Sequence, residues 1–224
     1  MKTFEHPITV PIDKSIIDEV ITNFQIQDIS KATIREVKAI AAEVEQISGV
    51  EFIKMEMGVP GLPPSPTGVK AQIEALEKGI ASIYPDINGY SELKKQASRF
   101  VKAFINVDVK PEGCIPVAGS MQGSFVSFLT CCQCYEGKDT VLFIDPGFPV
   151  QKQQLTVLGL KYETFDVYKY RGEKLKDKLE SYLNKGNISA IIYSNPNNPT
   201  WMCLKEEELK TIGELATKYD TIIL

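Results

Sequence analysis

Ser194-Asn195-Pro196-Asn197-Asn198-Pro199-Thr200 follows directly on the apolar run Ala190 to Tyr193. A short apolar run bounded by turn residues reads as a buried strand, so this polar segment stands at a strand's carboxyl end. The residue before a proline is pushed out of the helical region. Two Asn-Pro steps in succession therefore give an extended backbone that holds the asparagine amides in place. Three asparagines and two prolines are more than a turn requires, and the segment reads as a binding loop rather than a plain connection.

Outward from this loop, further runs of strand length occur at Ile115 to Ala118, Val141 to Ile144, Tyr162 to Val167 and Thr221 to Leu224. Helical patterns lie between them, at Gln122 to Tyr135, Val150 to Leu158, Gly172 to Leu183 and Lys205 to Lys218. Such alternation predicts βαβ units, a mostly parallel central sheet covered by helices on its faces, and hence an α/β class. Upstream, apolar residues at Ile34, Val37, Ile40, Ala41, Val44 and Ile47 predict an amphipathic helix from Lys31 to Ser48, with Gly49 as its stop. An extended run, Glu51 to Met57, leads into Gly58-Val59-Pro60-Gly61-Leu62-Pro63-Pro64-Ser65-Pro66-Thr67-Gly68, whose four prolines are expected to exclude regular structure. Helices are expected at Val69 to Ala81 and Ser91 to Ile105, flanking an irregular segment from Ile83 to Tyr90. The expected organisation is an N-terminal arm and helix over residues 1–50, then one larger domain over 51–224. An ending inside an apparent strand leads to the expectation of a truncated chain.

Ligands of α/β sheets bind beyond the carboxyl ends of the strands, so the turns after each run carry the information. Gly119-Ser120-Met121-Gln122-Gly123 opens an uncharged helix, and free N–H groups there suit an anion. The turn is neither a nucleophile elbow, a P-loop nor a dinucleotide fingerprint. Asp145-Pro146-Gly147-Phe148-Pro149 places an aromatic ring at the sheet edge, able to stack on a planar ligand or simply to cap the core.

Composition narrows the chemistry. Of 224 residues, 43% are hydrophobic and 24% charged, the balance of a soluble globular protein, and the net charge is −4. Only Arg35, Arg99 and Arg171 are arginines, which leaves no stripe for a nucleic-acid backbone. A single histidine, His6, argues against histidine-based triads and zinc sites. The Cys131-Cys132-Gln133-Cys134 run fits no tetrahedral zinc site. Five cysteines without a disulfide framework point to a reducing compartment, the cytoplasm. The longest uncharged stretch, Gly113 to Tyr135, is too polar for a membrane span.

These residues resemble the class I/II aminotransferases of pyridoxal-phosphate fold type I, from about Lys31 to Leu224. Asn195-Pro196-Asn197-Asn198-Pro199-Thr200 is the most specific piece. Met57-Gly58-Val59-Pro60 is similar to the family's substrate loop, Tyr84 with Gly89 to its Tyr…Gly segment, Gly119-Ser120-Met121-Gln122 to its phosphate turn and Asp145-Pro146-Gly147-Phe148 to its stacking turn. The resemblance implies a three-layer sandwich and an enzyme that moves an amino group between an amino acid and a 2-oxo acid. By the same resemblance, Ser120, Met121 and Gln122 serve the cofactor phosphate, Phe148 lies against its ring, and Asn198 donates to the phenolic oxygen. Gly58 approaches the substrate carboxylate, and Tyr84 reaches the phosphate of the neighbouring subunit in a homodimer. Two positions depart from the family. Trp201 stands where glycine usually follows Asn-Pro-Thr, giving a bulkier lip to the substrate site, and Gln151 replaces a second aromatic. No lysine here matches the one that forms the Schiff base, so no catalytic residue is assigned and the 224 residues alone are expected not to transaminate. Lys152 and Lys161 read as solvated. The alternatives are a β-lyase, decarboxylase or synthase sharing these turns, or a non-catalytic dimerising domain of the same fold.

Overall fold

The computed structural model describes residues 11–55, 58 and 61–224. His6, Met57, Val59 and Pro60, which entered the sequence reading, lie outside the described residues. The chain divides into two compact units, Met1–Ile83 and Tyr84–Leu224, a boundary downstream of the one expected at residue 50.

The first unit is helical. Helix α1 (Lys14–Asn23) was not anticipated; Asp13 caps it by accepting the Ser15 N–H at 2.8 Å. Helix α2 (Ile34–Ser48) matches its expected span closely and opens with a capping box. There the Glu36 carboxylate accepts the Thr33 N–H at 2.7 Å, while Thr33 Oγ1 accepts the Glu36 N–H at 3.3 Å. Val20 of α1 and Ile40 and Val44 of α2 form a small core with Ile12. No strand forms over residues 51–55; Glu45 instead accepts the Phe52 N–H at 2.6 Å. Helix α3 (Pro66–Glu77) begins inside the segment expected to be irregular. Proline fits the first helical position because the N–H it lacks would have had no partner there.

The second unit carries the sheet. Helix α4 (Ser91–Ile105) has the span expected of it. Helix α5 (Ser120–Cys134), strand β1 (Thr140–Asp145), helix α6 (Pro149–Leu158), strand β2 (Lys161–Asp166), helix α7 (Lys174–Leu183), strand β3 (Ile188–Ile192), helix α8 (Glu206–Lys218) and strand β4 (Ile222–Ile223) follow in order. All pairings are parallel, in the order β2-β1-β3-β4. Along β1 the side chains alternate between two cores. Val141 and Phe143 pack with Phe128 and Cys131 of α5 and Leu155 of α6. Leu142 and Ile144 pack with Leu175, Leu179 and Leu183 of α7 and Ile212 and Leu215 of α8. The result is the expected three-layer arrangement of helices, sheet and helices.

The expected strand at Ile115 to Ala118 is not formed. A strand needs a paired neighbour, and none of the described strands lies beside this run; Ile115 is 70% exposed. The segment is held by packing instead. Gly89, at φ 90°, sits so close to Pro116 that a Cβ there would approach the proline Cδ to 2.6 Å, a position only glycine can fill.

Between the turn before α7 and helix α8 lies an ion pair whose carboxylate is buried and whose guanidinium is partly exposed. Glu208, whose side chain is 1% exposed, accepts from Arg171 Nε and Nη2, each at 2.7 Å. The guanidinium fork and the Gly172 and Lys205 N–H groups hold the Glu208 carboxyl down to about 2, against an ordinary value of 4.5. A depressed carboxyl contributes stability that is full above its unfolded value and lost as pH falls through its folded one. The denaturant midpoint is therefore expected to fall from about pH 4.5 towards pH 2. Glu208→Gln should be less stable at neutral pH and show a flatter acid limb; an unchanged limb would contradict this assignment.

Candidate functional site

At the carboxyl ends of β1 and β3, a cavity of about 320 Å³ is lined by Ser120, Met121, Phe148 and Asn198, with Gln151 and Tyr193 among its other walls. Of the residues singled out in the sequence, this geometry brings together Ser120, Met121, Phe148 and Asn198.

The first wall is the N-terminus of α5. Gly119 precedes it at φ 82°, ψ 168°, a conformation essentially confined to glycine. The first helical hydrogen bond runs from the Gly123 N–H to the Gly119 carbonyl at 3.2 Å. The Ser120, Met121 and Gln122 N–H groups thus have no acceptor among the described residues, and the helix dipole adds partial positive charge there. Gln122 serves the turn from within, since its Oε1 accepts the Ala118 N–H at 2.5 Å. It does not line the cavity with Ser120 and Met121.

Phe148 caps the start of α6 and is 38% exposed, leaving part of its ring open to the cavity. Buried Gln154, one turn along the same helix, donates to the Met121 carbonyl at 2.8 Å and accepts from Ser124 Oγ at 2.8 Å. The aromatic turn and the anion-binding turn are thereby cross-tied. Lys152 is not solvated, contrary to expectation. It is partly buried in an ion pair with Asp145, which also accepts from Thr164. Lys161 is exposed as expected and pairs with Asp139 at 2.7 Å.

The third wall is the asparagine loop, in which the bonds before Pro196 and Pro199 are cis. Its asparagines divide the work. Asn195 Oδ1 accepts the Leu204 N–H at 2.9 Å. Asn197 is buried; its Nδ2 donates to the Pro146 carbonyl at 2.6 Å, and its Oδ1 accepts from Thr200 Oγ1 at 2.7 Å. Asn198 is anchored through its backbone N–H, which donates to Ser194 Oγ at 2.9 Å. Its side-chain amide has no partner among the described residues and lines the cavity. Two asparagines build the loop so that the third is presented.

Sequence reasoning missed Tyr193, whose hydroxyl is pushed above its ordinary value by burial. Its signal was its place as the last residue of the apolar run. The structural roles of Gln154 and Asn197 had no local signal, because their partners lie 33 and 51 positions away. Tyr84 is 97% exposed and outside the cavity. Gly58 is exposed and belongs to the first unit. Trp201 is 84% exposed and does not line the cavity. The Cys131 and Cys132 thiols are pushed up by burial. Among the described residues no cluster of histidine, cysteine, aspartate or glutamate could hold a metal ion.

A sequence profile of the family "Aminotransferase class I and II" matches residues 50–224, and the chain belongs to that family. It is 28% identical over 199 residues to an aspartate aminotransferase of Pyrococcus horikoshii, covering 88% of this chain and 48% of the relative. It is 29% identical over 178 residues to an LL-diaminopimelate aminotransferase of Halothermothrix orenii, covering 78% and 44%. In fold, it matches the structure of Thermus thermophilus aspartate aminotransferase with maleate at a TM-score of 0.71 and 20% identity, over 90% of this chain and 51% of that one. The chain spans about half the length of the curated relatives it matches.

The backbone at Trp201 is one that glycine adopts more readily than any other residue. Trp201 has φ 48°, and its N–H donates to the Asn197 carbonyl at 2.5 Å. Left-handed backbone costs a side-chain-bearing residue about 1–2 kcal/mol. Because the indole is mostly exposed, Trp201→Gly loses little packing and is expected to stabilise the chain by about 1 kcal/mol, read as a raised denaturant midpoint. A fall of similar size would show that the indole is held by contacts the loop needs.

Proposed function

We propose that this chain forms the cofactor-holding part of a pyridoxal 5′-phosphate-dependent aminotransferase, moving an amino group between an amino acid and a 2-oxo acid in amino-acid metabolism. The observation that carries this reading is the convergence of an open helix N-terminus, an exposed ring face and a free amide on one cavity at the ends of a parallel sheet. Each part fits the cofactor. The Ser120, Met121 and Gln122 N–H groups suit its phosphate, Phe148 its planar ring, and the Asn198 amide its phenolic oxygen. Among the described residues no charged side chain lines the cavity, and the α5 terminus offers positive potential to an anion. Bound pyridoxal phosphate provides the electron sink for the substrate's α-carbon, while the protein orients it.

Phe148 fixes the plane of the ring and shields one face from water. Asn198, held by Ser194 at its backbone, keeps a donor aimed at one ring substituent. Gln122 contributes a backbone N–H to the phosphate, with its side chain committed to Ala118. Trp201 forms an outer lip, and by the family relationship Gly58 is the residue proposed to serve the substrate carboxylate. The family relationship further supports a homodimer in which Tyr84 reaches the phosphate held by the second copy. The free state of all five cysteines fits a reducing, cytoplasmic setting. No helix among the described residues is long and apolar enough to cross a membrane.

Titration of the chain with pyridoxamine 5′-phosphate, followed by its fluorescence, tests the reading without requiring turnover. Saturable binding is expected, competed by inorganic phosphate and weakened about tenfold, roughly 1.4 kcal/mol, in Phe148→Ala and in Asn198→Ala. Absence of saturable binding, or wild-type affinity in both variants, would overturn it.

A further inference from the structure

We infer that Arg171 and Glu208 are positioning residues for this site, their ion pair setting where the asparagine loop holds Asn198. The inference rests on the reading of the cavity as a pyridoxal-phosphate site. Neither residue lines the cavity, so both act through the loop.

The contacts run in one direction. Beyond its two bonds to Glu208, Arg171 donates from Nη2 to the Cys203 carbonyl at 3.1 Å and from Nη1 to the Met202 sulfur at 2.7 Å. Glu208 accepts the Lys205 N–H at 2.8 Å and the Gly172 N–H at 2.8 Å. Residues 202, 203 and 205 are thus all gripped by the pair. From that stretch the Met202 carbonyl accepts the Asn197 N–H at 2.9 Å, and the Leu204 N–H donates to Asn195 Oδ1 at 2.9 Å. Asn195 and Asn197 are the two asparagines that shape the loop on which Asn198 sits.

Helices α7 and α8 are already packed through Leu175, Leu179, Leu183, Ile212 and Leu215. A buried ion pair adds little net stability over an apolar contact of equal volume, because desolvation offsets the attraction. Its geometry is the more useful contribution. A planar fork facing a carboxylate admits one arrangement, and that arrangement is passed to the loop.

The test compares two ligands on wild type, Arg171→Ala and Arg171→Lys. Pyridoxamine 5′-phosphate engages the ring wall and the phosphate wall; inorganic phosphate, followed by ³¹P NMR, engages only the N-terminus of α5. Arg171→Ala is expected to weaken the first about tenfold and leave the second unchanged, with partial recovery on adding guanidinium below denaturing concentration. Arg171→Lys, which keeps the charge but not the fork, should fall between. Wild-type affinity for both ligands in the variants, or a parallel loss of both, would overturn the proposal. If Arg171→Ala fails to fold, Arg171→Lys decides by the same two readouts. Wild type that binds no pyridoxamine 5′-phosphate would remove the cofactor reading and this one with it; wild type that binds while the variants bind equally would remove only this one.

Discussion

Among the described residues, the Asn197 amide makes the one hydrogen bond between the turn after β1 and the loop after β3. Its Nδ2 donates to the Pro146 carbonyl in the turn after β1, while its own backbone belongs to the loop after β3. β1 and β3 are hydrogen-bonded neighbours, but neighbouring strands do not by themselves dictate where their exit loops travel. A buried amide with both ends satisfied does, because leaving either end unpaired would cost on the order of 1–3 kcal/mol. Phe148 sits two residues beyond Pro146 and Asn198 one beyond Asn197, so the same bond places ring and amide around one space. Gln154 performs the matching task between α6 and α5, tying the wall that carries Phe148 to the N-terminus of α5.

The site is therefore built by neutral hydrogen bonds and helix geometry, with charge kept at a distance. Asp145 accepts from Lys152 and Thr164 through Oδ2 alone, its Oδ1 being buried without a partner among the described residues, while the Arg171 fork is engaged by Glu208. Among the described residues lining the cavity, the feature suited to an anion is the terminus of α5, opened by the glycine-only backbone of Gly119. This economy suits a ligand whose phosphate brings the charge and whose ring brings the area. The asparagine loop is held by side-chain hydrogen bonds, with Asn197 its buried member. Asn195 is tied to the Leu204 N–H and Asn197 to the Pro146 carbonyl and the Thr200 hydroxyl, while Asn198 lines the cavity.

Much of this was legible in the sequence. The helices from 91 to 105 and from 34 to 48 follow directly from apolar periodicity, and β1, β2 and β3 from their short apolar runs. Phe148 and Asn198 lie beyond the ends of β1 and β3, where ligands of such sheets bind; Ser120 and Met121 follow a run expected as a strand that does not form, and their signal is the glycine turn that opens α5. The failures have physical causes. Helix α1 carries apolar residues at helical spacing, Ile16, Ile17, Val20 and Ile21, a pattern obscured by its β-branched composition and proline-bearing approach. The run at 115–118 has strand composition but no partner strand, and pairing cannot be read from one segment. Pro66 was counted among the breakers when it is a helix starter. The contacts of Gln154, Asn197 and Arg171 with Glu208 depend on distant partners, which periodicity and turn chemistry do not encode.

The central claim is that the α5 terminus and the asparagine loop address one ligand together. It is tested most directly by ¹H–¹⁵N correlation spectra of the chain during titration with pyridoxamine 5′-phosphate. The account predicts that the backbone amides of Ser120, Met121 and Gln122 and the side-chain amide of Asn198 shift along a single binding isotherm, while amides of α1 and α2 stay in place. Separate isotherms for the two walls, or shifts scattered over exposed lysine-rich surface with the Asn198 amide unmoved, would contradict it.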